Sequence, residues 1–388
     1  MPRERHILLL IEATRAYGRS ICHGIAEYAR LREDWILMPH ERPVSHELPQ
    51  WIRKGEIDGV IAYIPSREIS RKLQALKVPV VDVQGKGYSS SIPVFDTDPD
   101  AVGRLAVNFL RNAGFKNLAF CGYPGIFFSD RREAAVARLV GEDDLAVYHP
   151  PHEIALPDWR QQERGAMEYE SDLCHWLQSL PKPVAILACN DIRGQQIINA
   201  CRSAGIAAPG EVAVLGIDDD DMICELCRPT LSSIAPNTYA IGWQAASTLA
   251  DMLDGKAVFS GLRNIPPLRI VERQSTDIVP SLHPVIIQAT RMIRNRACQG
   301  LSVEQICAQL KCSRSTLDAL FARHLGRSVS SEILRVRLTR AKQLLLEGQR
   351  PLAEIARDCG FLSSAYFCRF FKRETGQTPA AFRDASPR

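Results

Sequence analysis

The chain has 388 residues, too many for one ordinary domain, so two or three are expected. Its 46% apolar and 24% charged residues are those of a soluble globular protein. The apolar run Ile7–Ile11 is followed by Glu12 and is too short for a signal sequence or a membrane span, so a cytoplasmic protein without a membrane partner is expected.

The net charge is only +4 but unevenly placed. From His283 onward there are 18 Lys and Arg against 8 Asp and Glu, leaving 30 against 36 before that point. A basic tail on an acidic body is the footprint of a chain in which one part meets a polyanion. The twelve cysteines are scattered, many in apolar runs (Cys121, Cys189) or on helix faces (Cys307, Cys359), as reduced thiols used as small hydrophobes would be. Cys224 and Cys227 form the one close pair. A zinc site needs two more ligands at sensible spacing and none is evident, so no metal and no cofactor are expected.

From residue 7 to 276 short apolar runs alternate with amphipathic stretches. The runs are Ile7–Ile11, Trp35–Met38, Gly59–Ile64, Pro79–Val83, Asn117–Cys121, Leu145–Tyr148, Val184–Cys189 and Val212–Ile217. The amphipathic stretches lie near 20–32, 66–77, 100–113, 129–140, 159–179, 192–204 and 237–254. Continuous apolar strands alternating with helices predict parallel sheet covered on both faces, with ligands beyond the carboxyl ends of the strands. Asp96-Thr-Asp98, then Gly103, opens a helix after a fifth strand, and a fresh strand–helix series begins near Asn117. This order resembles a periplasmic-binding-protein-like fold, two α/β lobes around a cleft.

Polar residues just past strand ends are the ligand candidates. They are Glu12, Arg15 and Tyr17 after the first strand, Phe127, Phe128, Asp130, Arg131 and Arg132 after Cys121, Asn190 and Asp191 after Cys189, and Asp218 and Asp219 after Leu215. A sugar site pairs acids, amides and arginines with hydroxyls and sets an aromatic face against the ring. Asp191, Asp218, Arg132 and either Phe128 or Trp159 supply such a set. The plainer reading of each is a solvated loop residue or a helix cap, and Asp98 and Asp191 would both cap well. In the run Asp218 to Asp221 some acids must face water or raise each other's pKa.

Leu215-Gly-Ile-Asp-Asp219, Cys189-Asn-Asp191 and Arg269-Ile-Val-Glu-Arg-x-Ser-Thr276 resemble, in that order along the chain, the sensor domain of lactose-repressor-type regulators. The resemblance implies that Arg132 and Asp191 are the ligand arginine and ligand aspartate, with Asp218 or Asp219 at a third ligand position.

A short, proline-bearing joint follows, with Pro280 and Pro284, and Pro284 opens a helix through about Arg296. The tail then repeats itself. Shifted by 49 residues, Val303 falls on Leu352 and Ile306 on Ile355; with one extra residue in the turn, Ser313 falls on Ser363, Phe321 on Phe371 and Gly326 on Gly376. Each copy carries helix-turn-helix punctuation. Ser302 stands three before Gln305, a capping box; Lys311 and Cys312 make the turn; a second helix runs from about Ser313 to Leu325 and Gly326 stops it. In the second copy Pro351 opens, Gly360 turns, and Phe367, Phe370 and Phe371 face inward before Gly376 stops the helix. Between the copies Leu334, Leu338, Ala341 and Leu345 predict one long helix over 332–347 that fixes the separation of the two readers.

The outward residues are Arg314, Ser315 and Asp318 on the first reading helix and Ser364, Ala365, Cys368 and Arg369 on the second. Arg369 suits guanine, and Lys372 and Arg373 suit phosphates. The plainer reading is a helical bundle with a solvated basic face.

The pattern G-F-x-x-x-x-Y-F-x-R-x-F-K-x-x-x-G-x-T-P-x-x-F-R from Gly360 to Arg383 resembles the second helix-turn-helix of arabinose-regulator-type transcription factors, and R-L-x-x-A-x-x-L-L from Arg337 to Leu345 their linker helix. The combination of sensor and double helix-turn-helix resembles bacterial xylose-operon regulators over nearly the whole chain. No helix-turn-helix precedes the first strand, which departs from the lactose-repressor pattern and agrees with this.

The expected organisation is a sensor over 1–276, with lobes near 1–115 plus 237–257 and 116–236 plus 258–276, a linker over 277–283 and a DNA-binding domain over 284–388. The expected function is a transcriptional regulator, an activator by resemblance, controlled by a monosaccharide such as xylose. Its partners would be double-stranded DNA, a second copy of the chain and, for an activator, RNA polymerase. Two alternatives stand beside it, a sugar-processing enzyme using paired cleft carboxylates and a ligand-free DNA-binding module. There is no G-x-S-x-G, P-loop or glycine-rich dinucleotide fingerprint.

Overall fold

The computed structural model describes residues 4–32, 34–40, 52, 57–149, 170–277, 283–346 and 350–384. The chain forms two compact units, Met1–Ile278 and Val279–Arg388. Trp159 and most of the joint between the units lie outside the described residues.

The first unit opens with β1 (Arg5–Leu10), α1 (Ala16–Arg30), β2 (Trp35–Pro39), β3 (Gly59–Ala62), α2 (Arg67–Gln74), β4 (Val80–Val83) and β5 (Val94–Thr97). The chain then moves to a second sheet through α3 (Pro99–Asn112), β6 (Asn117–Cys121), α4 (Phe127–Val140), β7 (Leu145–Val147), α5 (Glu170–Ser179), β8 (Val184–Ala188), α6 (Asp191–Ser203), β9 (Val212–Ile217), α7 (Asp221–Leu226) and β10 (Ser232–Ala235). It returns to the first sheet with α8 (Thr238–Leu253) and β11 (Leu262–Ile265), and ends on the second with β12 (Arg269–Val271). The sheets have the orders β11-β5-β4-β3-β1-β2 and β12-β10-β9-β8-β6-β7; every pairing is parallel except β10 with β12.

Burial on both faces explains the unbroken apolar runs. Ile7 and Leu9 of β1 join a core with α1 and α8, while Leu8 and Leu10 join another with Ile69 and Leu73 of α2. In the second sheet Leu118 and Phe120 pack with α3 and α4, and Ala119 and Cys121 with α5 and α6. Two glycines let α1 and α8 approach backbone to backbone. A Cβ on Gly24 would lie 2.2 Å from the Tyr239 carbonyl oxygen, and one on Gly242 would lie 2.0 Å from that of Ile21.

The lobe boundaries differ from those expected. The apolar stripe Val102, Ala106, Leu110 of α3 packs on the second sheet, not the first, so the first crossing falls near Asp98 rather than 115. Strand β11 pairs with β5, so the chain stays on the first lobe through Ile265 rather than 257.

The second unit is helical: α9 (Pro284–Arg296), a 3-10 turn (Ala297–Gln299), α10 (Val303–Leu310), α11 (Arg314–Leu325), α12 (Val329–Leu346), α13 (Leu352–Asp358), α14 (Ser364–Thr375) and α15 (Pro379–Asp384). The capping box of Ser302 and Gln305 is formed, and Lys311, Gly326 and Gly376 end their helices in the left-handed conformation. There are two small cores. Helix α12 gives Val329 and Ile333 to the first and Ala341, Leu344 and Leu345 to the second, which is why it must be long.

Candidate ligand cleft and nucleic-acid interface

The strand ends of both sheets face a cleft of about 770 Å³, its open mouth included. Glu12, Arg15, Tyr17, Tyr63 and Gln84 line it from the first lobe, and Phe128, Arg132, Asn190, Asp191, Asp218 and Asp220 from the second. Of the ligand candidates read from the sequence, Phe127, Asp130, Arg131 and Asp219 do not line it. Asp219 is the one of these that the resemblance placed at a ligand position.

The cause lies in the turn after β9. Asp218 and Asp219 both have positive φ, 114° and 48°, a strained conformation for residues other than glycine. Three successive amides hold it: Asp218 donates to the Ile234 carbonyl (3.0 Å), Asp219 to Ser233 Oγ (3.0 Å) and Asp220 to Asp191 Oδ2 (2.8 Å). The turn swings the Asp219 carboxylate away to Arg273, 2.8 Å off, and leaves Asp218 and Asp220 facing the cleft. The neighbouring Ser275 donates to the Val214 carbonyl (2.6 Å), so the motif around Arg269–Thr276 sews the end of the unit to β9.

Asp191 follows the cap rather than being one, since Asn190 takes the Arg193 amide (2.9 Å). Its Oδ1 accepts from Ser233 Oγ at 2.5 Å. Burial and the Asp218 carboxylate push its pKa well up, against the pull of these hydrogen bonds. Arg132, also buried, donates to the Cys189 carbonyl and reaches Asp218 Oδ1 at 3.5 Å, with its guanidinium 5.3 Å from the Phe128 ring centre.

Contacts across the cleft come from residues that the sequence offered as ligands or passed over. Arg131 donates to Asp96 Oδ2 (2.8 Å) and to Asn264 Oδ1 (3.1 Å) rather than lining the cleft. Asp220 accepts the Ala16 amide at 2.9 Å, placing a carboxylate at the positive end of α1. Tyr17 meets Thr97 Oγ1 at 3.0 Å; burial, and next the Asp96 charge, push its pKa up. Tyr63, Gln84 and Asp220 lacked a distinguishing signal in the sequence. Cys224 and Cys227 are buried free thiols whose pKa burial raises, to about 11 for Cys227. Among the described residues no group of three or more His, Cys, Asp or Glu could hold a metal, and no helix is long and apolar enough to cross a membrane.

In the helical unit Ser364, Ala365, Arg369, Lys372 and Arg373 of α14 are exposed. Cys368 is not outward as expected; it is half-buried against the second core. Arg373 is engaged by Glu374 (2.8 Å) and the Phe370 ring (5.3 Å). The side chains of Arg369 and Lys372 make no hydrogen bond or ion pair among the described residues, which leaves them for a partner. The first motif is more self-satisfied. Arg314 pairs with Glu304 (3.0 Å) and Asp318 (3.7 Å), Ser315 Oγ meets the capping Ser313 (2.9 Å), and Asp318 accepts the Val329 amide at 3.4 Å.

Known proteins match this arrangement part by part. Residues 6–95 match the family model of the XylR N-terminal domain, 107–276 that of a periplasmic binding protein-like domain, and 306–385 that of a helix-turn-helix domain. The xylose operon regulatory protein of Escherichia coli K12 is 32% identical over 99% of this chain and 98% of its own length. That of Haemophilus influenzae is 31% identical over 97% of each. A solved structure of the xylose-binding transcription activator xylR superposes with a TM-score of 0.73 at 30% identity, covering 100% of both chains. The chain is a DNA-binding transcription regulator rather than an enzyme, and it belongs to the xylose operon regulatory protein family.

Proposed function

We propose that this regulator is an activator whose effector is a pentose, xylose or a close stereoisomer, held in the cleft between the two sheets. One observation carries the reading. Arg132, Asp191, Asp218 and Asp220 come from three separate strand ends and converge on a single cavity, with the turn bearing the aspartates held in a strained conformation. Paired acids and an arginine can each take two hydroxyls, and Glu12 and Arg15 add a second charged pair from the facing lobe. Phe128 offers a ring face to the apolar side of a sugar. The names of the full-length relatives support xylose as the ligand class.

Sugar binding favours one lobe arrangement, and this changes how the helical unit engages DNA. Coupling between such sites is typically about 1–3 kcal/mol, roughly 5- to 150-fold in affinity. Arg314, Ser315, Asp318, Ser364, Ala365, Arg369, Lys372 and Arg373 form the DNA face in this reading. The working form is a homodimer on two half-sites in the cytoplasm, activating by contact with RNA polymerase.

The test is calorimetry of the full chain with xylose, arabinose, ribose and glucose. It is followed by DNA binding with and without whichever sugar binds. Saturable binding of a pentose that shifts DNA affinity is the expected result. Binding of none of the four overturns the effector assignment, and a sugar that binds without altering DNA affinity overturns the coupling.

A further inference from the structure

The turn before the second reading helix presents a leucine that the fold does not use. Leu362 is 105% exposed, more than any other large apolar side chain described, and Tyr366, one helical turn on, is 43% exposed. A lone exposed leucine needs no explanation, so its setting decides. Leu362 stands immediately before the capping Ser363, whose Oγ accepts the Tyr366 amide at 3.1 Å. An apolar residue at this position ordinarily packs back on the helix's first turn as a staple. Here Phe361 turns inward instead, 6% exposed and 5.2 and 5.6 Å from the rings of Phe367 and Phe370, and Leu362 is turned out.

The turn that presents it is fixed. Gly360 has φ 76°, and a Cβ there would lie 2.9 Å from the carbonyl oxygens of both Ala297 and Cys298. Tyr366 and Arg369 are both exposed and stand three apart in the first turns of the helix that this turn opens, so an apolar tip and an unpaired guanidinium lie at the same N-terminal end of the reading helix. The two copies differ here. The residue matching Leu362 in the first motif is Cys312, half-buried against the first core.

We propose that Leu362, supported by Tyr366, reads the C5-methyl group of a thymine in the major groove, and that the second motif therefore demands a thymine which the first does not. Recognition helices of this kind meet base edges with their N-terminal residues. The thymine methyl is the apolar group among the major-groove base edges. A side chain held by a rigid turn loses little freedom when it seats there. The inference rests on DNA binding alone and not on the identity of the sugar.

The test begins with duplexes selected from a randomised pool by the full chain, with and without xylose. Each thymine in a selected duplex is then replaced singly by uracil, which removes only the methyl. At one position beneath the second motif, uracil should weaken wild-type binding about 4-fold, the worth of one buried methyl-sized group. Leu362→Ala should bind the thymine and uracil duplexes alike, and its exposed site leaves folding undisturbed. At that position 5-methylcytosine should in turn bind wild type better than cytosine. A selected site with no thymine beneath the second motif overturns the proposal, and so does a methyl effect that persists in Leu362→Ala. A Leu362→Ala variant that keeps the methyl effect but no longer stimulates RNA polymerase would assign the leucine to a protein contact instead. Failure to select any duplex would strike at DNA binding itself, a different outcome.

Discussion

Arg337 Nε donates to the carbonyl of Ala297 at 2.9 Å, which ties the linker helix to the turn that precedes the first reading motif. The same guanidinium reaches the Leu301 carbonyl at 3.4 Å and lies 5.9 Å from the ring of Phe361 in the second motif. One planar cation thus touches both halves of the helical unit. Its neighbourhood is dry enough that burial lowers its pKa.

This makes Arg337 a positioning residue for the pair of readers. Arg337→Ala should lower the stability of the helical unit by about 2 kcal/mol, the scale of one good hydrogen bond from a charged donor. Lysine lacks the planar fork and should rescue only part. The telling measurement is spacing. Wild type should lose binding when one base pair is inserted between the stretches read by the two motifs, and Arg337→Ala should tolerate the insertion better. Equal intolerance in both proteins would limit Arg337 to a structural role.

Asp191 carries a pH dependence whose sign can be worked out. Burial, and then the Asp218 charge, raise its pKa in the folded state, so the folded protein holds a proton that the unfolded chain releases near pH 4. Its contribution to stability is therefore greatest below that value and declines as pH rises toward the folded pKa. Asp191→Asn keeps an oxygen for the Asp220 amide and presents an amide N–H to Ser233 Oγ. It should stabilise the sugar-free protein at neutral pH, by on the order of 1 kcal/mol, and flatten this decline while abolishing sugar binding. Thermal melts from pH 4 to 8 check it. A variant that melts lower than wild type across that range would contradict the assignment of strain to the ionised carboxyl.

The sequence carried the architecture where burial leaves a pattern. Strand β1 is apolar at every position from Ile7 because both faces are covered, and the tail repeats because each copy closes its own core. Strands β10 to β12 were not legible. Ser232–Ala235 and Arg269–Val271 are short and partly polar, and Leu262–Ile265 exposes its first three residues at a sheet edge. The helix α3 has an evident apolar stripe, but a stripe does not say which sheet it covers. In the cleft, periodicity fails altogether. Asp218, Asp219 and Asp220 are chemically alike, and only the positive-φ turn decides that Asp219 pairs with Arg273 while its neighbours face the cavity. Cys368 was misplaced because it lies at the border of the apolar stripe of α14, where one residue's rotation separates core from surface.

The two reading helices should respond unequally to loss of their arginines. Arg369→Ala should reduce binding to a specific duplex by about 1–3 kcal/mol and relax the preference at one base pair. Arg314 is already paired with Glu304 and Asp318, so Arg314→Ala should cost less. Lys372→Ala should weaken specific and random duplexes alike and reduce the slope of log affinity against log salt by about one. Binding measured at four salt concentrations on both duplexes separates these outcomes. A uniform loss for Arg369→Ala would make it a phosphate contact.

Arg131 joins α4 of the second lobe to β5 of the first through its ion pair with Asp96. Its partner Asp96 is buried, and burial raises the Asp96 pKa against the pull of Arg131 and Arg132. Removing Arg131 leaves a carboxylate that is costly to ionise when the lobes meet and easily hydrated when they part. Arg131→Ala should therefore shift the lobes toward separation without touching the cavity lining. Sugar affinity should fall about tenfold, equivalent to 1.4 kcal/mol, and the fall should be smaller at pH 5 than at neutral pH, because the raised pKa of Asp96 favours the protonated form, which needs no partner, as the pH is lowered. Calorimetry at both pH values reads the affinity, and solution scattering of the sugar-free protein reads the separation. Undiminished affinity at pH 7 would show that the lobes close without this ion pair, and the Asp220 carboxylate at the amide end of α1 would then be the contact that holds them.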